Sequence, residues 1–176
     1  KVMKIVATDN NLGAIDIELS GEFIFVNRYS SSGILNGVYA MSTIEGRQWK
    51  DDDSFTYSLE GNNQTTISAI ERGDIELPEN SSIEITKASA SKQADFGYIT
   101  FNKAGSYAFK ITQTSNCGSP LALDENPERS IVVDVREVGG GHLEATSENL
   151  TLENLTFTNR YVPSGTFSGI NASVAI

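Results

Sequence analysis

The feature that most constrains this chain is a strict alternation of apolar and polar residues in short runs bounded by turn residues. In SFTYSLEG, Phe55, Tyr57 and Leu59 fall on one side and Ser54, Thr56 and Ser58 on the other. An extended strand sends successive side chains to opposite faces, so this pattern buries one face of a sheet and wets the other. SYAFKITQ repeats the pattern with Tyr107, Phe109 and Ile111, and carries Gln113 on the apolar side. SIVVDVRE repeats it with Ile131, Val133 and Val135, and SIEIT (82–86) and FGYITF (96–101) are further strands. Turn residues separate them at Glu60-Gly61-Asn62-Asn63, Lys103-Ala104-Gly105-Ser106 and Val138-Gly139-Gly140-Gly141. Helical periodicity is confined to TTISAIERG (65–73), which stops at Gly73. Many half-buried strands without helices to cover them must cover one another. The predicted fold is all-β, a two-sheet β-sandwich.

The chain also repeats itself. GEFIFVNRYSSSGILNGVYAMSTI (21–44) runs without gaps against ENLTFTNRYVPSGTFSGINASVAI (153–176), and the shared Asn-Arg-Tyr sets the offset at 159 − 27 = 132 residues. IDIEL (15–19) precedes the first Asn-Arg-Tyr as HLEAT (142–146) precedes the second. A period of this length is a whole domain, not a solenoid unit. Residues 1–29 therefore read as the closing strands of a preceding repeat, 30–161 as a complete repeat, and 162–176 as the opening strand of a following one. Isolated strand pairs are marginal in water. The terminal strands are thus expected to complete a neighbouring sandwich, by complementation between subunits or within a continuous fibre.

Charge and rare residues remove other function classes. A formal charge of −10 disfavours nucleic acid and anionic lipid as partners, because both need basic patches. One cysteine, Cys117, and one histidine, His142, exclude an intrachain disulfide and metal sites built on several such ligands. No run of apolar residues is long enough to span a bilayer, and no cofactor is expected. Asp51-Asp52-Asp53 and Asp124-Glu125-Asn126 read as solvated turns, since consecutive carboxylates diverge and no calcium-loop spacing is present. Cys117 lies in a polar loop without an adjacent base, and Gly139-Gly140-Gly141 is a hairpin turn, not a phosphate loop. Trp49, flanked by Arg47 and Lys50, is expected to cover one end of the core. Five Asn-x-Ser/Thr triplets, at Asn63, Asn80, Asn149, Asn154 and Asn171, follow from a composition rich in these residues.

EGRQWKDDDSFTYSLEG, YITFNKAGSYAFKITQT and LTFTNRY together resemble the streptococcal-pilin isopeptide-linkage family, the FctA-like relatives of CnaB domains, over nearly all of 36–161. The resemblance implies an inverse-Ig, CnaB-like sandwich strung in tandem on Gram-positive surfaces. It further implies, in many members, a spontaneous amide bond between a first-strand lysine and a last-strand asparagine, assisted by a buried acid. Such a bond needs a lysine amine kept neutral by burial and a protonated carboxyl to polarise the amide. Under this resemblance Asn159 keeps the asparagine position, as Asn27 does in the preceding repeat. Ser42 stands at the lysine position, Gln113 at the acid position, and Val174 at the lysine position of the following copy. A hydroxyl cannot form the amide and a carboxamide has no acid proton. Lys4, Lys50, Lys87, Lys92, Lys103 and Lys110 fall in loops or on polar faces. The expectation is no catalytic residue and no cross-link, but a buried hydrogen-bond network joining Ser42, Gln113 and Asn159.

The function so implied is a structural stalk or pilus module on the bacterial cell surface or cell wall, with signal and anchor outside these residues. Its partners would be neighbouring repeats or subunits of the same protein. The alternative is an adhesin module that binds a host protein or glycan through its loops, which would need a concave or aromatic-lined patch. A hydrolase has neither an acid pair nor a nucleophile and base to support it.

Overall fold

The computed structural model describes residues 4–20, 31–115 and 120–165. The chain opens with a hairpin of β1 (Lys4–Asp9) and β2 (Ile15–Ser20), which among the described residues pair with each other alone. Asn10 and Asp9 side chains accept backbone N–H groups in its turn, and Asn11 and Gly13 take the left-handed conformations that the turn demands.

Next come β3 (Gly33–Glu45), β4 (Ser54–Gly61), α1 (Gln64–Glu71), β5 (Ile75–Glu76), β6 (Ser82–Thr86) and β7 (Gln93–Phe101). The chain then forms β8 (Gly105–Gln113), β9 (Leu121–Ala122), β10 (Glu128–Gly139), β11 (His142–Thr146) and β12 (Thr156–Tyr161). These strands make two five-stranded sheets in the orders β11-β10-β8-β4-β6 and β5-β7-β3-β12-β9. All pairs are antiparallel except β3 with β12, which run parallel. The two-sheet sandwich read from the alternation is the observed fold.

The core fills as the pattern dictates. Phe55, Tyr57 and Leu59 of β4, Tyr107, Phe109 and Ile111 of β8, and Ile131, Val133 and Val135 of β10 all point inward from the first sheet. They meet Val38 and Ala40 of β3, Ile99 and Phe101 of β7, and Phe157 of β12. The predicted helix is present, one residue earlier at its start and two shorter at its end. Asn63 caps it by accepting the Thr66 N–H at 2.8 Å, and Gly73 then turns the chain with a φ of +76°. Gly140 and Gly141, both at positive φ, close the β10–β11 hairpin as expected.

Two bulges were not legible in the alternation. In β3, Leu35 and Val38 both face inward although three positions separate them, because Asn36 and Gly37 form an exposed bulge with Gly37 at φ +79°. This added residue sets the parity of everything after it. It turns Val38, Ala40 and Ser42 inward. A second irregularity at Gly97, φ +106°, does the same between Phe96 and Ile99 of β7.

Candidate functional site

The structure brings together the three inward polar residues expected from the sequence. Ser42 and Asn159 are fully buried and Gln113 is 5% exposed. Ser42 lies on β3 and Asn159 on the adjoining parallel strand β12, whose register sets Phe157 against Ser42 and Asn159 against Ile44. Gln113 reaches them from β8 in the opposite sheet. Asn159 is the hub: its Nδ2 donates to Ser42 Oγ at 3.0 Å and to the Thr43 carbonyl at 3.3 Å, while its Oδ1 accepts from Gln113 Nε2 at 2.9 Å.

Tyr57, directly opposite Gln113 in the β4–β8 ladder, places its hydroxyl 3.4 Å from Gln113 Nε2. Its ring packs on Phe157 with centroids 4.7 Å apart. The sequence had marked Tyr57 only as core. The signal that could have found it is the register that sets it opposite Gln113. Gln113 Oε1 is buried and has no hydrogen-bond partner. Chemically, the Gln113 amide does half of an acid's work. It donates a hydrogen bond to the Asn159 carbonyl oxygen, yet it has no proton to give up. Ser42 offers a hydroxyl where an amide bond would need an amine, and no lysine is buried among the described residues.

The structure corrects two of the expected solvated turns. Asp51 and Asp52 are exposed, but Asp53 is buried and receives both terminal nitrogens of Arg47 at 2.6 Å, together with the Lys50 N–H at 2.6 Å. The third aspartate immediately precedes β4. Trp49 covers the same end as expected, edge-on to Phe55, and Arg47 lies over the Tyr161 ring. Asp124 is likewise no solvated turn. Its Oδ2 accepts the Thr158 N–H at 2.6 Å and Arg129 Nη2 at 2.8 Å, and Arg129 stacks over Phe157 at 4.5 Å. Both pairs pin loops to the strands that frame the network. Neither pair is legible in the acidic run alone, because each arginine partner lies outside the run that holds its aspartate.

Asn63, Asn149 and Asn154 have their side chains engaged in hydrogen bonds, and His142 is exposed at the start of β11. Cys117, Asn27, Asn171 and Val174 lie outside the described residues.

The Arg47 hydrogen bonds, helped by the Lys50 N–H, hold the Asp53 carboxyl below the usual carboxylate range against the cost of its burial. A depressed folded pKa means stability that is present above about pH 4 and is lost as acid titrates the folded group. Asp53→Asn is expected to cost about 2–4 kcal/mol at pH 7, since it leaves Arg47 uncompensated. Urea midpoints measured from pH 7 down to 2 should fall less steeply for the variant than for the parent. Parallel curves would remove Asp53 from the acid response.

The family model FctA, described as a Spy0128-like isopeptide-containing domain, matches residues 38–162. A comparison with curated proteins returns no match.

Proposed function

The chain belongs to the FctA family of isopeptide-containing domains, and on that premise we propose that residues 30–161 form a stalk or filament module of a bacterial surface protein. FctA domains are structural, non-enzymatic modules typical of Gram-positive pilins and surface proteins. Among the described residues, no helix is long and apolar enough to cross a membrane.

The observation that carries the reading is where the module starts and stops. β12 runs parallel to β3, and its last rung sets Arg160 beside Glu45 at the end of β3. The entry at Gly33 is therefore a full strand length away, roughly 40 Å for β3 at the usual rise per residue. A chain that enters at one pole and leaves at the other extends in a line when copies are joined.

The hairpin β1–β2 supports the same reading. Its register places Ile5, Ala7, Ile15 and Ile17 on one face, and the three isoleucines are each more than half exposed. In the complete repeat the equivalent hairpin, β10–β11, buries Val135 and Leu143 against the core. We take residues 1–29 as the end of a preceding sandwich that a neighbouring repeat or subunit completes. Ser42, Gln113 and Asn159 then occupy the family's cross-link position with hydrogen bonds in place of the amide. The adhesin alternative rests on a shallow pocket of about 300 Å³ beside β7, where Tyr98 is the exposed aromatic. Phe96 also lines it but is buried, so a single exposed ring faces the pocket, and the stalk reading stands first.

Small-angle scattering tests it. Inserting one further 132-residue period after Tyr161 should lengthen the particle by about 40 Å with little change in cross-section. A compact, folded-back particle would overturn the stalk.

A further inference from the structure

We infer that this module is an extensible element, one that yields under tension by sliding its last strand past its first and then paying out its whole length. The inference rests on the stalk reading for the direction of the load, and on the structure for what the load meets.

Tension on a linear stalk pulls the entry and exit of each module apart. Here they are the near end of β3 and the far end of β12, two neighbouring parallel strands. Pulled from opposite ends, such strands slide along their common axis. Every rung from Thr156–Met41 to Arg160–Glu45 is then loaded together, whereas strands pulled from the same end would open rung by rung. Side chains reinforce the rungs: Thr43 Oγ1 lies 3.3 Å from Thr158 Oγ1, and Arg160 Nε donates to Glu45 at 3.3 Å. At the entry, the Leu143 N–H donates to the Ser32 carbonyl at 3.0 Å, which ties β3 to the other sheet.

None of these links is covalent. The only direct bond between the side chains of Ser42 and Asn159 is a 3.0 Å hydrogen bond, and the single cysteine allows no intrachain disulfide. A covalent tie between these two positions would carry the load straight from β3 to β12 and shield the chain between them. Without it, the ladder is the mechanical latch. When it fails, Phe157 leaves its place against Tyr57, and the remaining strands are held by non-covalent ladders and packing that the same load then meets in turn. The length released is that of the chain from entry to exit, on the order of 400 Å.

Single-molecule pulling on the whole chain tests this. Cys117→Ser removes the native thiol, and Ser31→Cys with Ser164→Cys provides handles at opposite poles. A second protein carries Gln48→Cys with Ser164→Cys, which places both handles at the exit pole. The first pair is expected to rupture in one event with a gain on the order of 400 Å. The second should open at a several-fold lower force. Equal forces in the two geometries would overturn the latch. Failure of the first protein to lengthen before its handles detach would overturn extensibility, and would leave the rod shape measured by scattering untouched.

Discussion

Replacing Ser42 with lysine and Gln113 with glutamate in the same chain is expected to yield a protein about 17 Da lighter than its sequence mass, through loss of one ammonia. The argument starts from atoms already in place. Ser42 Oγ lies 3.0 Å from Asn159 Nδ2, so a longer side chain from the same Cα can bring an amine to the asparagine carbonyl carbon. Burial favours the neutral amine, which is the nucleophile, and also the protonated carboxyl of a glutamate at position 113. Gln113 Nε2 already donates to Asn159 Oδ1 at 2.9 Å, so a glutamate O–H in its place polarises the same carbonyl. The amine nitrogen adds to that carbon, the bond to Nδ2 breaks, ammonia leaves with the amine proton, and the glutamate recovers its own.

The longer side chain overpacks the site at a cost of about 1–3 kcal/mol before reaction. Closing a loop of roughly 117 residues by a covalent link offsets that with about 4–5 kcal/mol, as for a disulfide of similar span. Melting temperature should rise by on the order of 10 °C, and the variant should stop lengthening under force. Adding Asn159→Ala removes the acceptor and must restore full mass. A folded double variant at full mass would show that the geometry no longer supports the reaction.

The sandwich and the inward polar trio were legible because both rest on parity, and parity survives in sequence wherever a strand is regular. Tyr107 through Gln113 alternate without interruption, and each inward residue was assigned correctly. β3 behaves differently. The inward placement of Ser42 depends on the Asn36–Gly37 bulge, a local gain of one residue that the hydrophobic pattern does not record. Counting back from Ile44 gave the right face for Ser42 only because the count stayed on the far side of that bulge. The aspartate pairs failed for another reason. Asp53 and Asp124 sit in runs of polar residues that look like solvent-facing turns, and it is the way each loop folds back that brings Arg47, six residues before, and Arg129, five residues after, onto them. Such pairing depends on the conformation of each loop and not on the period of its side chains. Alternation cannot encode it.

Asn159→Ala is expected to be far more damaging than removing the whole network at once. The single change strips Ser42 Oγ of its bond to Asn159 and leaves Gln113 Nε2 with only the long 3.4 Å contact to the Tyr57 hydroxyl, beside a Gln113 Oε1 that is already unpaired. Each stranded group costs its desolvation, and the lost side chain leaves a void, so the variant should lose about 3–5 kcal/mol. The triple variant Ser42→Ala, Gln113→Leu, Asn159→Leu removes donors and acceptors together and fills the space with apolar atoms. It should unfold within about 1 kcal/mol of the parent, or above it, because buried polar groups contribute little net stability when an apolar replacement packs well. Urea unfolding of the parent and the two variants decides the matter. If the triple variant is as weak as Asn159→Ala, the hydrogen bonds are a structural requirement of the fold. If it matches the parent, folding does not need them, as the proposed reading of these three positions expects.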